Sequence, residues 1–257
     1  MNINSVYLTN NVFSNNKNIT SVDLKNVEWK NGSMAYSFYN CINLSSISNV
    51  NENVINMYNT YGCCFKIDNA PIIPNNLIDM GYTFFGCHNL TTPPVIPNSV
   101  VNMRGTFFSC SDLTTPPIIP NSVVNMRATF SHCSNLTTAP IIPNNVIDMG
   151  QTFSECSNLT TAPIIPNQVS TIIYAFEGCS NLFGNIYIYS QNIISADKCF
   201  RDTSLTKNVY IPFKYDNGVN TATYNAFINA GYNENGTSCG VYLKDINADV
   251  SIIPASD

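Results

Sequence analysis

The sequence predicts a solenoid of stacked 23-residue coils, capped at both ends, and three columns of residues establish its period. A cysteine recurs at a constant interval, at Cys41, Cys64, Cys87, Cys110, Cys133, Cys156 and Cys179. An aromatic residue lies three positions before each cysteine: Phe38, Tyr61, Phe84, Phe107, Phe130, Phe153 and Phe176. An aliphatic residue lies three positions after each: Leu44, Ile67, Leu90, Leu113, Leu136, Leu159 and Leu182. A coil this short cannot bury its apolar side alone, so the columns indicate a core shared by stacked coils.

Further constant columns are expected to point inward or to form hydrogen-bonded ladders. The columns predicted to face the core are a Val/Leu column at positions 77, 100, 123, 146 and 169, a Met column at 57, 80, 103, 126 and 149, and an Ile/Val column at Ile72, Val95, Ile118, Ile141 and Ile164. A Thr column (60, 83, 106, 129 and 152) and an Asn column (89, 135, 158 and 181, with Asp112 as one member) are predicted to satisfy buried polar groups along the stack.

Each coil is predicted to contain one short parallel β-strand, near Val100–Arg104 and its equivalents. A helical or 3-10 turn is expected around Thr106–Cys110, because the apolar residues there are spaced by four and three. Two proline columns, represented by Pro94 and Pro97, bracket an apolar pair. Since proline cannot donate to a sheet ladder, this stretch is predicted to be a second extended segment. The coil rise should equal the strand spacing of about 4.8 Å.

The pattern L-x-x-P-P-x-I-P-x-x-V-x-x-M-x-x-T-F-x-x-C resembles the BspA-like bacterial leucine-rich repeats. It is also similar to the Met–Phe–Cys–Leu repeats of mycoplasma-type surface proteins. The resemblance covers residues 19–205 and implies a right-handed leucine-rich-repeat solenoid used at surfaces for adhesion and recognition. Similar repeats occur in bacteriophage virion proteins. The resemblance implies no catalytic residue set.

The two ends depart from the repeat and are predicted to cover the terminal coils. Residues 1–18 are rich in Asn and form the expected N-terminal cap, residues 19–205 form the solenoid, and residues 206–257 form a C-terminal cap and tail. The elements predicted in the C-terminal cap are an N-cap at Thr221, a helix over Ala222–Ala230, a stop at Gly231 and a closing strand over Val241–Ile246.

Composition and charge exclude several classes of protein. Only 11% of the residues are charged, against about 25% in ordinary soluble domains, so much of the polar surface must come from uncharged side chains such as the 40 asparagines. The net charge of −5 and the lack of a basic stripe argue against nucleic-acid binding. The sequence has no apolar run long enough for a transmembrane helix and no recognisable signal peptide. A cell-surface or extracellular location and a virion location therefore both stay open.

The cysteine column permits three interpretations: disulfides, metal binding, or free packed thiols. Neighbouring equivalents would lie about 5 Å apart, within disulfide range, but they point in the same direction and seven cannot all pair. Metal sites need tighter Cys/His clusters than this sequence offers. We therefore favour free thiols that pack as small apolar side chains. Cys63, Cys199 and Cys239 lie outside the column, and Cys63 is the predicted reactive thiol.

The sequence gives no indication of catalysis. It contains no nucleophile elbow, no phosphate-binding loop and no carboxylate pair at a useful spacing. Asp79 and Asp148 share a column with Asn102 and Asn125, which indicates a polar turn position. No enzyme activity, metal or cofactor is expected.

Two pairs of positions vary within otherwise near-identical coils: the pair after the Met column and the pair after the aromatic column. This freedom indicates that their side chains lie outside the core, and the residues include the types enriched at recognition surfaces. The alternatives are that these positions drift on the surface, or that Phe85 and Phe108 pack against the coil below. The predicted binding residues are Tyr58, Tyr82, Phe85, Arg104, Phe108, Arg127, Gln151 and Tyr174.

Two functional hypotheses follow. The first is a non-enzymatic binding or adhesion module that recognises a protein or glycan at a cell surface. The second is a structural virion protein of a phage tail, baseplate or capsid, which can also be the host-binding component. It is motivated by the missing signal peptide, a chain that starts at Met1 and the predicted C-terminal cap. Neither hypothesis involves nucleic acid or membrane insertion, and a homo-oligomer or larger assembly stays open.

Overall fold

The computed structural model of this chain describes residues 6–203, 207–214, 218–237 and 241–248. These residues form a stack of coils with little regular secondary structure, and all of the named strands pair in parallel. The elements are β1 (Val6–Leu8), β2 (Ser21–Asp23), β3 (Val27–Trp29), a 3-10 turn (Lys30–Gly32), β4 (Ser46–Ser48), β5 (Ile186–Tyr187), β6 (Lys207–Ile211), α1 (Ala222–Asn229) and β7 (Val241–Asp245). The strand orders are β1-β3, β2-β4 and β5-β6-β7.

A ladder of single-residue parallel bridges joins the central coils. It runs through Ser33, Asn56, Asp79, Asn102, Asn125, Asp148, Thr171 and Ser195. The strand predicted over Val100–Arg104 is thus reduced to one bridging residue, Asn102. The reason lies in the Asn side chain, whose Oδ1 accepts the N–H of Arg104 at 3.0 Å and bends the chain directly after the bridge.

The segment after the bridge, where a helical or 3-10 turn was predicted around Thr106–Cys110, is a series of turns. The N–H groups of alternate residues donate to the next coil. Those of Met103, Gly105, Phe107 and Ser109 donate to the carbonyls of Asn125, Arg127, Thr129 and Ser131 at 2.8–2.9 Å. Between them, the N–H groups of Thr106 and Phe108 donate to carbonyls three residues earlier, as in a 3-10 turn. Gly105 and Ser109 have φ of 59° and 58°, so a left-handed residue at every fourth position prevents a continuous helix.

The core follows the constant columns of the repeat. The cysteine, aromatic, leucine, methionine and valine columns are fully buried through the central coils. The aromatic rings form one continuous stack; Phe107, for example, lies 5.8 Å from Phe84 and 5.6 Å from Phe130 between ring centroids. The stack continues to Phe200 and reaches Phe227 of α1 at the C-terminal end.

The Ile/Val column predicted to face the core is instead exposed. The exposed fractions are 87% for Ile72, 88% for Val95, 91% for Ile118, 90% for Ile141 and 49% for Ile164. The core is filled by the following residue of each coil: Ile73, Ile96, Ile119, Ile142 and Ile165. Successive side chains of an extended segment point to opposite sides, so only one member of each apolar pair can face inward.

Two polar columns complete the backbone hydrogen bonding of the core. The buried hydroxyl of Thr106 lies 3.0 Å from the carbonyl of Met80 in the preceding coil and 2.8 Å from that of Met103. The thiol of Cys110 donates to the carbonyl of Phe84 at 3.1 Å, and the same contact recurs along the cysteine column. Thr and Cys therefore supply small donors to carbonyls inside the stack.

The Asn column behaves differently from the prediction, because its side chains are exposed. Asn158 Nδ2 lies 3.4 Å from Asn135 Oδ1, and Asn181 Nδ2 lies 3.5 Å from Asn158 Oδ1. These contacts form a ladder on the surface, where water competes for the same groups, so they satisfy no buried polar atom.

Both ends of the described chain join the stack. In the N-terminal segment, Phe13 stacks on Phe38 with centroids 5.2 Å apart, and Asn11 and Asn15 take left-handed conformations with φ of 63°. In the C-terminal segment, α1 forms where it was predicted: the Thr221 side chain accepts the N–H of Tyr224, and Gly231 follows the helix with φ of 87°. The closing strand is β7, which pairs with β6.

Candidate functional site

The variable positions lie on the turn segments. In each central coil, the two left-handed positions and the residues before them carry the side chains that change from coil to coil. Backbone groups supply the hydrogen bonds that link these segments to the next coil. The side chains at these positions are thus free to differ without breaking the links between coils.

One row of rings, here called the aromatic edge, crosses five coils on this surface. Its members are Tyr36, Tyr58, Tyr82, Phe85, Phe108 and His132. The distances between successive ring centroids, in that order, are 5.6, 5.6, 6.2, 5.4 and 5.2 Å. The Tyr and Phe rings are half-buried, so each contacts its neighbours and still offers part of its surface to solvent. Such spacing is typical of favourable aromatic pairs.

Arg104 adds a cation to the aromatic edge. Its Nε donates to the hydroxyl of Tyr82 at 3.2 Å, and its guanidinium carbon lies 5.8 Å from the centroid of that ring. Gly105 makes the arrangement sterically feasible, because a Cβ at this position would collide with Cδ1 and Cε1 of Tyr82. Gly81 plays a similar part for Tyr58, where a Cβ would lie 2.9 Å from the ring.

The structure groups the other predicted residues separately. Arg127 Nη2 donates to Gln151 Oε1 at 3.4 Å in the neighbouring coil. Tyr174 lies near the C-terminal end of the stack, where Lys198 Nζ is 5.4 Å from its ring centroid and 3.4 Å from its hydroxyl. Arg201 approaches the same ring at 5.8 Å. Of the eight predicted residues, Tyr58, Tyr82, Phe85, Arg104 and Phe108 therefore form one contiguous cluster.

The predicted set omitted four residues that contribute to these clusters: Tyr36, His132, Lys198 and Arg201. Tyr36 lies 23 residues before Asn59, so extending the variable column by one more coil would have found it. Lys198 and Arg201 follow an inserted residue that shifts the last coil out of register, which hides their equivalence from a fixed period.

The surroundings of the Tyr58 phenol alter its pKa. Burial, followed by the neighbouring Tyr36 and Tyr82 phenols, raises the pKa of Tyr58. The Tyr58 phenol thus keeps its proton near pH 7 and can donate as well as accept a hydrogen bond. Burial also raises the pKa of the half-buried Cys63 thiol, which disfavours the reactive thiolate that we predicted there. Cys199 is buried, and Cys239 lies outside the described residues.

A second surface, here called the proline stripe, is formed by the exposed Ile/Val column and the prolines beside it. Its exposed side chains are Ile72, Val95, Ile118, Ile141 and Ile164. Shallow grooves of about 290 to 480 Å³ separate successive coils, and the largest lies between the coils of Pro140 and Pro163. The residues lining the four grooves include no charged side chain.

Within the described residues, no group of three or more His, Cys, Asp or Glu side chains is placed to hold a metal ion. Asp79 and Asp148 each accept a backbone N–H two residues later, at 2.7 and 2.8 Å, which agrees with the predicted turn role. In the part of the chain that is described, no helix has the length and apolar character required to cross a bilayer.

Comparison with known proteins identifies relatives of the repeat. The family described as BspA type leucine-rich repeat region matches six copies, over residues 7–137, 55–182 and 118–234. A leucine-rich repeat protein from Bacteroides ovatus has a similar structure, with a TM-score of 0.50 and 18% identity over 88% of this chain and 66% of that protein. A leucine-rich cell surface protein from Faecalibacterium prausnitzii gives a TM-score of 0.39 at 15% identity, covering 94% and 84% of the two chains. No curated protein sequence gives a significant match.

Proposed function

We propose that this chain, which belongs to the BspA-type leucine-rich repeat proteins, recognises a protein or glycan at a cell surface through its aromatic edge. Proteins of this family are in general surface-associated interaction modules and are typically not enzymes. The observation that carries the proposal is the contiguous cluster of Tyr58, Tyr82, Arg104, Phe85 and Phe108 on an otherwise repetitive scaffold.

Backbone strain supports a recognition role for this cluster. Tyr36 and Tyr82 lie at left-handed positions with φ of 58° and 54°. For a residue with a bulky side chain, this conformation costs roughly 1–2 kcal/mol relative to the right-handed region. Equivalent positions in other coils are left-handed too; Asn59 and Gly105 tolerate this conformation, whereas Ala128, Gln151 and Tyr174 share the strain. Large rings kept at such positions, where Asn or Gly would be less strained, favour a function that stability does not explain.

The geometry also supports binding with little loss of conformational freedom. Stacking between neighbouring coils already restricts the rings, so a partner need not order them. The ring faces offer apolar contact, while the Tyr82 hydroxyl and the Arg104 guanidinium offer hydrogen bonds beside them. Tyr and Arg are the residue types most often found at binding hot spots. A protein surface and a glycan can both use this combination.

The test is a glycan array and a cell-binding assay on the folded chain and three variants: Tyr82→Ala, Arg104→Ala and Arg127→Ala. For Tyr82→Ala and Arg104→Ala we expect Kd to rise by roughly 30-fold, the effect of losing a hot spot of about 2 kcal/mol. Arg127 lies with Gln151 outside the contiguous cluster, so its replacement should have a smaller effect.

Thr115→Ala is the matched control, because Thr115 is exposed and lies outside both candidate surfaces. This control should bind like the parent chain. Unchanged binding by Tyr82→Ala and Arg104→Ala would show that the aromatic edge is not the binding surface. The absence of any glycan or cell ligand for the parent chain would count against the proposed function itself.

A further inference from the structure

We infer that the proline stripe binds the proline stripe of a second copy of this chain, so that two solenoids associate side by side around a two-fold axis. Four successive coils present an aliphatic side chain that is 87 to 91% exposed: Ile72, Val95, Ile118 and Ile141. Single exposed aliphatic residues are ordinary on protein surfaces, but a contiguous row of them is a mark of an interaction site.

The chemistry of the stripe restricts what can cover it. Its groove-lining residues carry no charge, so nothing there attracts a charged partner. Proline on both sides of each exposed residue has no N–H, which disfavours the addition of an extended peptide as a new strand. The surface that fits is another uncharged apolar one. This chain, with only 11% charged residues, presents such a surface itself.

The repeat makes the stripe complementary to a copy of itself. Exposed side chains and grooves alternate along the stack at the coil spacing of about 4.8 Å. Two copies have the same spacing, so in an antiparallel arrangement the aliphatic side chains of one fit into the grooves of the other. A two-fold interface pairs one patch with an identical patch. Ile118 is the central member of the row and thus lies near the axis.

The size of the stripe predicts a dimer that dissociates readily. Five coils at about 4.8 Å give a length of roughly 24 Å, and a six-residue extended segment such as 70–75 gives a width of roughly 20 Å. The footprint is therefore on the order of 480 Å² per copy, or about 1,000 Å² for the pair. That area is near the lower limit for a specific interface, so we expect a dissociation constant in the micromolar range.

The experiment is sedimentation velocity on the full chain, from low micromolar to several hundred micromolar, with the variants Ile118→Glu and Ile118→Lys. The parent should shift from monomer to dimer as its concentration rises. Each variant alone should raise the dissociation constant by about 30-fold or more, because two like charges meet near the axis. An equal mixture of the two variants should recover dimers, since Glu then faces Lys.

Ile194→Glu is the matched control. Ile194 is 76% exposed but belongs to another column, so its replacement should leave association unchanged. Recovery in the mixture also excludes misfolding as the cause of the loss. A parent chain that stays monomeric throughout, or Ile118 variants that dimerise like the parent, would overturn the inference. If the parent chain stayed monomeric but bound another molecule, and Ile118→Glu abolished that binding, the stripe would be assigned to that molecule instead. Tyr82→Ala should not alter dimerisation, which separates this test from that of the aromatic edge.

Discussion

Replacing Gly105 with alanine tests the left-handed turn geometry that supports the aromatic edge. Gly105 has φ of 59°, and an added Cβ would collide with the ring of Tyr82. The same position in the next coil is Ala128, with φ of 55°. Gly105→Ala and Ala128→Gly are therefore reciprocal substitutions at equivalent backbone positions, and only the first meets a neighbouring ring.

The expected magnitudes follow from three contributions. A left-handed alanine costs roughly 1–2 kcal/mol, and the lower entropy of the unfolded chain offsets about 0.4–1 kcal/mol of that cost. Displacing Tyr82 weakens its contacts with Tyr58 and Phe85, each worth about 0.5–1.5 kcal/mol. Gly105→Ala should thus lower the free energy of unfolding by about 1.5–3 kcal/mol. In Ala128→Gly the backbone gain and the loss of one buried methyl, about 0.8 kcal/mol, nearly cancel.

Thermal and urea denaturation of the two variants and the parent would measure these effects. At about 2–4 °C per kcal/mol, Gly105→Ala should lower Tm by roughly 3–12 °C, while Ala128→Gly should leave it nearly unchanged. When the changes in unfolding free energy of the two variants are added, their backbone contributions cancel. The sum then contains only the collision with Tyr82 and the lost methyl. A parent-like Tm for Gly105→Ala, or equal losses for both variants, would refute this account of the turn.

Two further predictions concern the core. Thr106→Val keeps the shape of the side chain but removes a buried hydroxyl that contacts two carbonyls. The urea midpoint should therefore fall by the equivalent of about 1 kcal/mol. An unchanged midpoint would show that the hydroxyl adds no stability. Burial raises the thiol pKa well above the ordinary value of 9.0 in the cysteine column, as at Cys64, Cys87, Cys110, Cys133 and Cys156. Above about pH 9 the unfolded chain releases these thiol protons, while the folded state keeps them. The free energy of unfolding therefore has its full value below pH 9 and falls above it by roughly 1.4 kcal/mol per pH unit for each thiol. Urea midpoints measured between pH 7 and pH 10.5 check this, and a flat profile would contradict it.

The periodic sequence predicted most of the core, but the prediction that Ile118 and its equivalents face inward was wrong. Cys110, Phe107 and Leu113 recur alone at their positions, so their constancy indicates burial. Ile118 and Ile119 form an apolar pair that recurs in both positions, and constancy cannot tell which member points inward. The alternation of an extended segment requires one of them to face solvent, but the phase of that alternation depends on how the flanking prolines set the backbone.

The turn segments were harder to predict, because their hydrogen bonds run between coils. Apolar spacings of four and three indicate a helical turn when only one coil is considered. The actual partner of the Phe107 N–H is a carbonyl 22 residues later, and a local pattern holds no information about it. Glycine and asparagine at positions such as 59, 86 and 105 are a sign of left-handed backbone. Tyr, Ala and Gln occupy equivalent left-handed positions in other coils, so the residue types in these columns do not predict a left-handed backbone.

The aromatic edge could be predicted as a set of columns, though its contacts could not. Variability identified the positions of Tyr82 and Phe85, but their ring contact depends on side-chain directions that the left-handed backbone sets. The same geometry explains why these columns can vary at all. Backbone bonds, with Thr and Cys side chains, hold the coils together at the turns, so a change of the Tyr82 side chain removes none of these backbone, Thr or Cys links between coils. If the aromatic edge is the binding surface we propose, its side chains can therefore change at a stability cost limited to side-chain contacts and to the backbone strain of left-handed positions such as Tyr82.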